Sequence, residues 1–495
     1  ALEQQYSRDI FPANASDGTP VQSASACVDN ATGAVRACVG GRSYDTRRGL
    51  NRATQLRRQP GSALKPLVVY APAIQTYGYT PASVLQDEPT NFGGYTPRNS
   101  GYAYYGPVTI RTALKNSLNV CAVALLNQIG IQAGMDYLSS VGIPLDARDG
   151  NLSLALGSMT YGVSPVILAA AYSPFANGGG YHEPYFIEKI TDLDGRIIYQ
   201  HQDSGTRVLS AQSAYLMTDM LRTVTTSGTG AKLSGAGVQV AGKTGTVNMT
   251  GGGNRDVWMA AYTAEVSMAT WMGFDNPDSS HRLAGWISGG DYPAALCRDF
   301  FKSWYSSREK PTFARPEGLV TAEIDKKSIE WRGQAMLASD LTPSAYRISE
   351  IFAAGTQPTQ YSDVWSAPRS AKSFTVTHNE DGYPLLVIEA GDNAVYRVQR
   401  DAAGESFVLT ELYGSTGETL YYTDTRAQPG VTYTYRVIPV HAELLQNGIL
   451  LEGVQSVQVA RAALPQTEGM LERFWNGLFG SSTKEEETAL SIFTP

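Results

Sequence analysis

Three short motifs constrain this chain more than its length does: Ser62-Ala63-Leu64-Lys65, Ser117-Leu118-Asn119 and Lys243-Thr244-Gly245-Thr246, each occurring once and in that order. Any fold the chain adopts has to bring them to one place for them to act together. Residues i and i+3 share a helix face, so the Lys65 amine can approach the Ser62 hydroxyl and take its proton. That makes a serine nucleophile with no histidine. The second motif supplies another hydroxyl and an amide. The third is basic and contains glycine, which suits a strand edge that binds a carboxylate and lets a substrate backbone lie close. The same Ser-x-x-Lys spacing recurs at Ser307/Lys310 and Ser481/Lys484. Nothing around those two supports a catalytic reading, and a lone Ser-x-x-Lys is an ordinary surface pair. Order, spacing and flanking sequence give the set its meaning.

A chain of 495 residues exceeds one ordinary domain and suggests two to four. Hydrophobic content of 42% with 17% charged residues belongs to a globular protein with a substantial core. The net charge of −7 argues against nucleic acid as a partner. Basic residues cluster once, at Arg47, Arg48, Arg52, Arg57 and Arg58, just before Ser62. No run of eighteen apolar residues suggests a membrane span. The start at Ala1, without a signal-peptide pattern, reads as a processed form or fragment. Four cysteines, with no Cys-x-x-Cys or His-Glu-x-x-His pattern, predict neither a metal site nor a cofactor. Five histidines and no Gly-x-Ser-x-Gly elbow disfavour a Ser-His-Asp hydrolase.

Along the chain, residues 23–41 read as a hairpin turning at Asp29 to Gly33, with glycine at the left-handed position. Cys27 and Cys38 lie on its two strands and form a disulfide if the register sets them opposite each other; Cys121 and Cys297 read as core residues. Pro66 is tolerated only in a first turn, so a helix is expected to begin near Ser62, with the nucleophile at its N-terminus. Residues 109–129 are helical in pattern, with Ser117 and Asn119 interrupting the apolar stripe, and 152–176 suggest a buried helix. From Val238 the pattern turns to strand, with further strands at Trp258–Tyr262 and Ala269–Phe274, and 294–304 suggest a closing helix. The sum is an α/β domain with one antiparallel sheet, hairpin first. Residues 316–358 have no clear pattern. Beyond Ser366 short alternating strands argue a β-sandwich, and Pro429-Gly430-Val431-Thr432-Tyr433 resembles the fibronectin type III corner. An amphipathic piece at Leu471, Phe474, Trp475, Leu478 and Phe479 precedes an acidic tail. The expected divisions are a linker remnant at 1–22, a catalytic domain at 23–360, a sandwich at 366–465 and a flexible tail at 466–495.

From Ala26 to about Pro358 the chain resembles the transpeptidase half of class A, bifunctional penicillin-binding proteins. Beyond the three motifs, the likeness includes Gly40-Gly41, Asn51-Arg52-Ala53-Thr54, Arg58-Gln59-Pro60-Gly61-Ser62, Gly106 to Leu114, Gly273-Phe274-Asp275 and Arg298-Asp299-Phe300. The resemblance implies the penicillin-binding/β-lactamase-like fold, a central antiparallel sheet flanked by helices, followed here by the all-β sandwich. It implies Ser62 as acylated nucleophile, Lys65 as general base, Ser117 as proton relay and Asn119 as holder of the substrate amide. Lys243 and Thr244 would bind the terminal carboxylate, Gly245 would permit close approach, and the N–H groups of Ser62 and Thr246 would form the oxyanion hole. The implied reaction cross-links D-Ala-D-Ala stem peptides of peptidoglycan, and β-lactams would trap Ser62. Implied partners are stem peptides and glycan strands, with a wall polymer or protein for the sandwich. The implied location is the outer side of a bacterial membrane, through an anchor preceding this half. The Glu-Asp motif near a His-x-Gly that marks the family's glycosyltransferase domain does not occur here, since Glu380-Asp381 has no His-x-Gly beside it, so glycan polymerisation is not expected of this chain. Two alternatives remain: a hydrolytic carboxypeptidase or serine β-lactamase, and a β-lactam sensor or envelope-binding protein.

Overall fold

Alternation along five strands sorts their side chains onto two faces and builds the sheet that carries the third motif. In the computed structural model, which describes residues 2–463 apart from Asp9, Asp45, Thr46, Asp203, Ser204 and Asn447, these strands are β1 (Gln22–Asp29), β2 (Val35–Val39), β3 (Ala241–Asn248), β4 (Asn254–Tyr262) and β5 (Val266–Gly273). They pair antiparallel in the order β2-β1-β5-β4-β3, so the opening hairpin is joined by the later strands as the sequence suggests, and β3 is an edge. Ala24, Ala26, Trp258, Ala260 and Trp271 face one core; Cys27, Val257, Met259, Met268 and Met272 face another. Trp258 and Trp271 are wholly buried. At ~25 cal/mol per Å² over 150–250 Å², each contributes roughly 4–6 kcal/mol.

The first core is covered by the helical segment 61–76 and by α1 (Ile110–Lys115), α2 (Asn119–Ile129), α3 (Pro165–Ala176) and α4 (Ala211–Ser227). The second is covered by α5 (Tyr292–Trp304) with Leu2, Tyr6 and Phe11. Several elements depart from the sequence reading. The helix at Ser62 is composite: a 3₁₀ turn at Gly61–Leu64, a π turn at Pro66–Tyr70, then α-helix at Ala71–Thr76. Helix 109–129 is broken, because Ser117 adopts φ 57° between α1 and α2. The buried helix 152–176 is a 3₁₀ turn at Leu152–Leu156, a loop, and only then α3. The strand expected from Val238 begins at Ala241.

The hairpin register excludes the candidate disulfide. Cys27 lies opposite Ala37, and Cys38 opposite Ala26, so the two side chains project from opposite faces of the sheet. Both are free thiols, as are Cys121 and Cys297, and of the four only Cys38 is not fully buried.

Residues 316–358 form a small antiparallel sheet of Leu319–Asp325, Met336–Leu337 and Arg347–Ala353, with a short helix at Lys326–Arg332. The chain divides into two compact units, ending and beginning at Val364 and Trp365. The second holds two antiparallel sheets. Strands Ser373–His378, Pro384–Glu389 and Thr419–Thr423 make one; Glu405–Gly414, Ala394–Ala402, Thr432–Val440 and Ser456–Arg461 make the other. Phe374, Leu386, Ile388, Tyr396, Val398, Tyr435 and Val437 fill the space between them, a sandwich as expected. The amphipathic piece and acidic tail at 466–495 lie outside the described residues.

Candidate active site

The first motif owes its geometry to a 3₁₀ turn. With three residues per turn, side chains at i and i+3 eclipse, so Ser62 and Lys65 stack on one line; the Lys65 backbone N–H donates to Ser62 O. The turn is held from several sides. Tyr172 Oη donates to Ala63 O, Trp258 Nε1 donates to Gln59 O at 3.0 Å, and Arg58 and Val163 exchange backbone hydrogen bonds of 3.1 and 2.8 Å. The approach of turn to strand β3 is closer than any side chain allows. A Cβ on Gly245 would stand 2.1 Å from Pro60 O, and one on Gly61 would stand 2.7 Å from Thr246 O and 3.1 Å from Thr246 N. Gly245 therefore makes room for the turn that carries Ser62. The same contact sets the Thr246 backbone beside the peptide entering Ser62.

The break between α1 and α2 brings in the second motif. Lys65 is fully buried and its Nζ donates to Ser117 O at 2.7 Å, Leu118 O at 3.2 Å and Asn119 Oδ1 at 2.7 Å, with Ser117 Oγ at 3.4 Å. Ser117 is a non-glycine residue in the left-handed region, a strain of about 1–3 kcal/mol that persists only where surroundings over-determine it. The left-handed residue turns the chain so that the hydroxyl of Ser117 and the amide of Asn119 both meet the lysine.

The third motif completes the chain of contacts. Lys243 is also fully buried, and its Nζ donates to Ser117 Oγ at 2.8 Å and Thr244 O at 3.1 Å. These contacts direct Lys243 to the Ser117 hydroxyl. Thr244 Oγ1 lies 2.8 Å from Thr229 Oγ1, and Thr246 Oγ1 accepts the Gly289 N–H at 3.3 Å. All three motifs thus meet, and Ser117 is their junction. Ser62 Oγ makes no hydrogen bond among the described residues, which leaves it free for a reaction partner.

Burial lowers the basicity of both amines. Burial, then the charge of Lys243, holds Lys65 well below the usual lysine range, against weaker opposing effects of Cys121 and Asp87. Burial alone pushes Lys243 down to about 7. The site therefore holds an amine able to be neutral near physiological pH, which a base for serine requires.

Sequence reasoning missed Thr229, Asp87, Asn99 and the pair Arg111–Glu350. Arg111 Nε and Nη2 bond Glu350 at 2.7 and 2.5 Å, and Nη2 bonds Asp219 at 2.5 Å, so the small C-terminal sheet of the first unit is tied to α1, just before Ser117. These residues act across long separations, and no local pattern marks them. The basic cluster proves partly structural: Arg52 pairs with Asp275, and Arg58 donates to Phe274 O at 3.0 Å.

Residues 24–290 match the family described as "Penicillin binding protein transpeptidase domain", and residues 315–367 match "Penicillin-binding protein 1A, C-terminal domain". The chain belongs to the penicillin-binding protein transpeptidase family. It is 35% identical to penicillin-binding protein 1F of Bacillus subtilis (strain 168), over 87% of this chain and 54% of that one. It is 34% identical to penicillin-binding protein 1A of Clostridium botulinum (strain Langeland), over 69% and 42%. The chain spans about half the length of these relatives. Among solved structures, penicillin-binding protein 1A from Haemophilus influenzae superposes with a TM-score of 0.59 at 28% identity, covering 70% of this chain and 55% of that one. The PonA1 protein of Mycobacterium tuberculosis in complex with penicillin V gives 0.55 at 25%, covering 64% and 85%.

Proposed function

We propose that this chain is a peptidoglycan DD-transpeptidase working through an acyl-enzyme on Ser62. The observation that carries the reading is the continuous contact from Lys65 through Ser117 to Lys243, with both amines buried and of lowered basicity. Neutral Lys65 takes the Ser62 hydroxyl proton as Oγ attacks the carbonyl carbon of the penultimate D-Ala. The N–H groups of Ser62 and Thr246 stabilise the tetrahedral oxyanion, the kind of contribution that dominates such reactions. The C–N bond breaks as Ser117, polarised by Lys243, passes its proton to the departing D-Ala amine and is reprotonated by Lys65, which becomes neutral again. An amine of a neighbouring stem then attacks the ester, loses a proton to Lys65 by way of Ser117, and the departing Ser62 alkoxide takes that proton from Lys65. Asn119 holds the substrate amide, and the open edge of β3 offers backbone groups to an extended peptide. A β-lactam, opened by the same attack, stays on Ser62.

We read the second unit as fibronectin type III-like. Its three- and four-stranded sheets and the bond from Gln428 N–H to Tyr433 Oη at 3.0 Å match the tyrosine corner of such sandwiches. Its candidate ligand is a wall polymer or protein partner. The parent protein would work outside a bacterial membrane, held by an anchor elsewhere in its sequence; among the described residues no helix is long and apolar enough to cross a membrane. Hydrolytic and sensor readings are separated from this one by turnover.

Intact mass after penicillin treatment should show one adduct, mapped to Ser62 and lost in Ser62→Ala but kept in Ser307→Ala and Ser481→Ala. A D-Ala-D-Ala thioester analogue with an added amine acceptor should give transfer product over many turnovers. One equivalent of product would indicate a sensor. Water as sole acceptor would indicate a hydrolase. An adduct on another serine in Ser62→Ala would sink the assignment.

A further inference from the structure

We propose that Asp87 and Asn99 are positioning residues of this reaction, a buried carboxylate–amide pair that fixes the Ser117-Leu118-Asn119 motif from outside its own helix. The inference rests on the acyl-transfer reading of the site. Helix α2 starts at Asn119, where the first N–H groups have no partner within the helix. Such starts are ordinarily capped by a Ser, Thr, Asp or Asn side chain at the preceding residue. Here that residue is Leu118, which supplies no side-chain cap. A distant residue does so instead: Asn99 Oδ1 accepts the Asn119 N–H at 2.7 Å and the Val120 N–H at 3.3 Å.

The orientation of the Asn99 amide is itself fixed. Its Nδ2 donates to both Asp87 oxygens at 2.8 and 3.0 Å and to Ala103 O at 3.0 Å, so a flipped amide would set its oxygen against three acceptors. Asp87 is fully buried, and its carboxylate also accepts the Tyr105 N–H at 3.0 Å and faces Cys121 Sγ at 3.7 Å. The neighbour of Asn99 serves the same residue: Arg98 O accepts from Asn119 Nδ2 at 2.7 Å. The segment Arg98-Asn99 thus grips Asn119 by backbone and side chain, leaving Asn119 Oδ1 for Lys65. It also supplies the outside constraint that the left-handed Ser117 needs. A pair that served only stability would lower the melting temperature and leave the folded protein reacting normally; a pair that positions the motif changes the reaction of folded protein.

The test uses the full chain, a fluorescent penicillin, and melting temperatures measured alongside acylation rates. Asp87→Asn and Asn99→Asp should each slow acylation of folded protein by roughly 30-fold or more, since misplacing a reacting group by about 1 Å costs on the order of 100-fold. The double variant Asp87→Asn/Asn99→Asp exchanges carboxylate and amide. It restores one hydrogen bond between the two positions and keeps an oxygen facing the Asn119 N–H, so its rate should return to within about fivefold of the parent. Should Asn99→Asp not fold, Asn99→Ser, which is neutral but too short to reach Asn119, should show the same slowing. Single variants that fold and acylate within threefold of the parent, or a double variant no faster than the slower single, would overturn the proposal. A parent chain that is not acylated at Ser62 refutes the functional reading. A parent that is acylated, with the exchanges leaving its rate untouched, refutes the positioning role alone.

Discussion

Adding one methyl group at Gly245 should disable the site without touching any reacting atom. The Cβ of Gly245→Ala would lie 2.1 Å from Pro60 O, 3.1 Å from Ala63 Cβ and 3.1 Å from Trp258 Cβ. A carbon–oxygen contact is ordinarily about 3.3 Å or more, so the turn and strand have to part by roughly 1.2 Å. The same methyl would also press on Trp258, which is wholly buried and pairs directly with Gly245 across the sheet. The displacement falls on Pro60, two residues before Ser62, and widens the gap between the Ser62 and Thr246 amides. A misplacement of about 1 Å costs on the order of 100-fold in rate, or about 2.7 kcal/mol of barrier, and overpacking costs about 1–3 kcal/mol of stability. Stopped-flow acylation by a fluorescent penicillin measures the first, and a melting curve the second. Gly285→Ala is the control, because its Cβ would meet nothing within 4 Å. A Gly245→Ala protein that acylates within threefold of the parent at unchanged melting temperature would refute the argument that backbone contact sets the oxyanion site.

Burial lowers Lys243 to about 7 and holds Lys65 well below its usual range, so above about pH 7 the unfolded chain binds more protons than the folded one. Stability should then rise with pH towards the unfolded lysine value near 10.4, by up to about 1.4 kcal/mol per unit for each lysine; urea midpoints at pH 7 and 9 should show it, and Lys243→Met should flatten the rise. Arg111→Met leaves Asp219 and Glu350 without their shared cation and should destabilise the first unit by about 3–5 kcal/mol, read as a fall in denaturant midpoint. Truncation after Val364 keeps all three motifs in one unit and should acylate at the parent's rate; a folded truncation that fails to label would show that the sandwich supports the cleft. Thiol titration of unfolded, unreduced protein should count four, and a count of two would reinstate a disulfide.

Much of the candidate site was legible because its residues lie in short motifs that the fold brings together, and the sheet because its strands alternate. What escaped depends on contacts that no window contains. The apolar pattern of 109–129 is interrupted at Ser117 and Asn119 but resumes in helical spacing beyond them, so periodicity could not tell two surface polar residues from a break held by Lys65 and Asn99 from other parts of the chain. That Lys243 is wholly buried and meets Ser117 Oγ is equally invisible in its own motif, because the two residues lie 126 positions apart in the chain. The hairpin cysteines show the limit of counting: their strands pair as expected, yet one step of register places them on opposite faces.

The topology of the central sheet also dictates when this protein can begin to be a protein. The hairpin β1–β2 is complete by Val39, but its other partner is β5, with Ala26 paired to Ala269. Until that later strand exists, β1 offers a free edge and a run of side chains that are buried in the finished sheet, the kind of segment that invites pairing with other chains. At ~5–20 residues per second, the roughly 240 intervening residues take about 12–50 s to be made. Closing so long a loop also slows folding. A nascent chain of this design therefore has strand β1 waiting while about 240 residues are made, and shielding of that strand becomes a requirement of the cell that makes it.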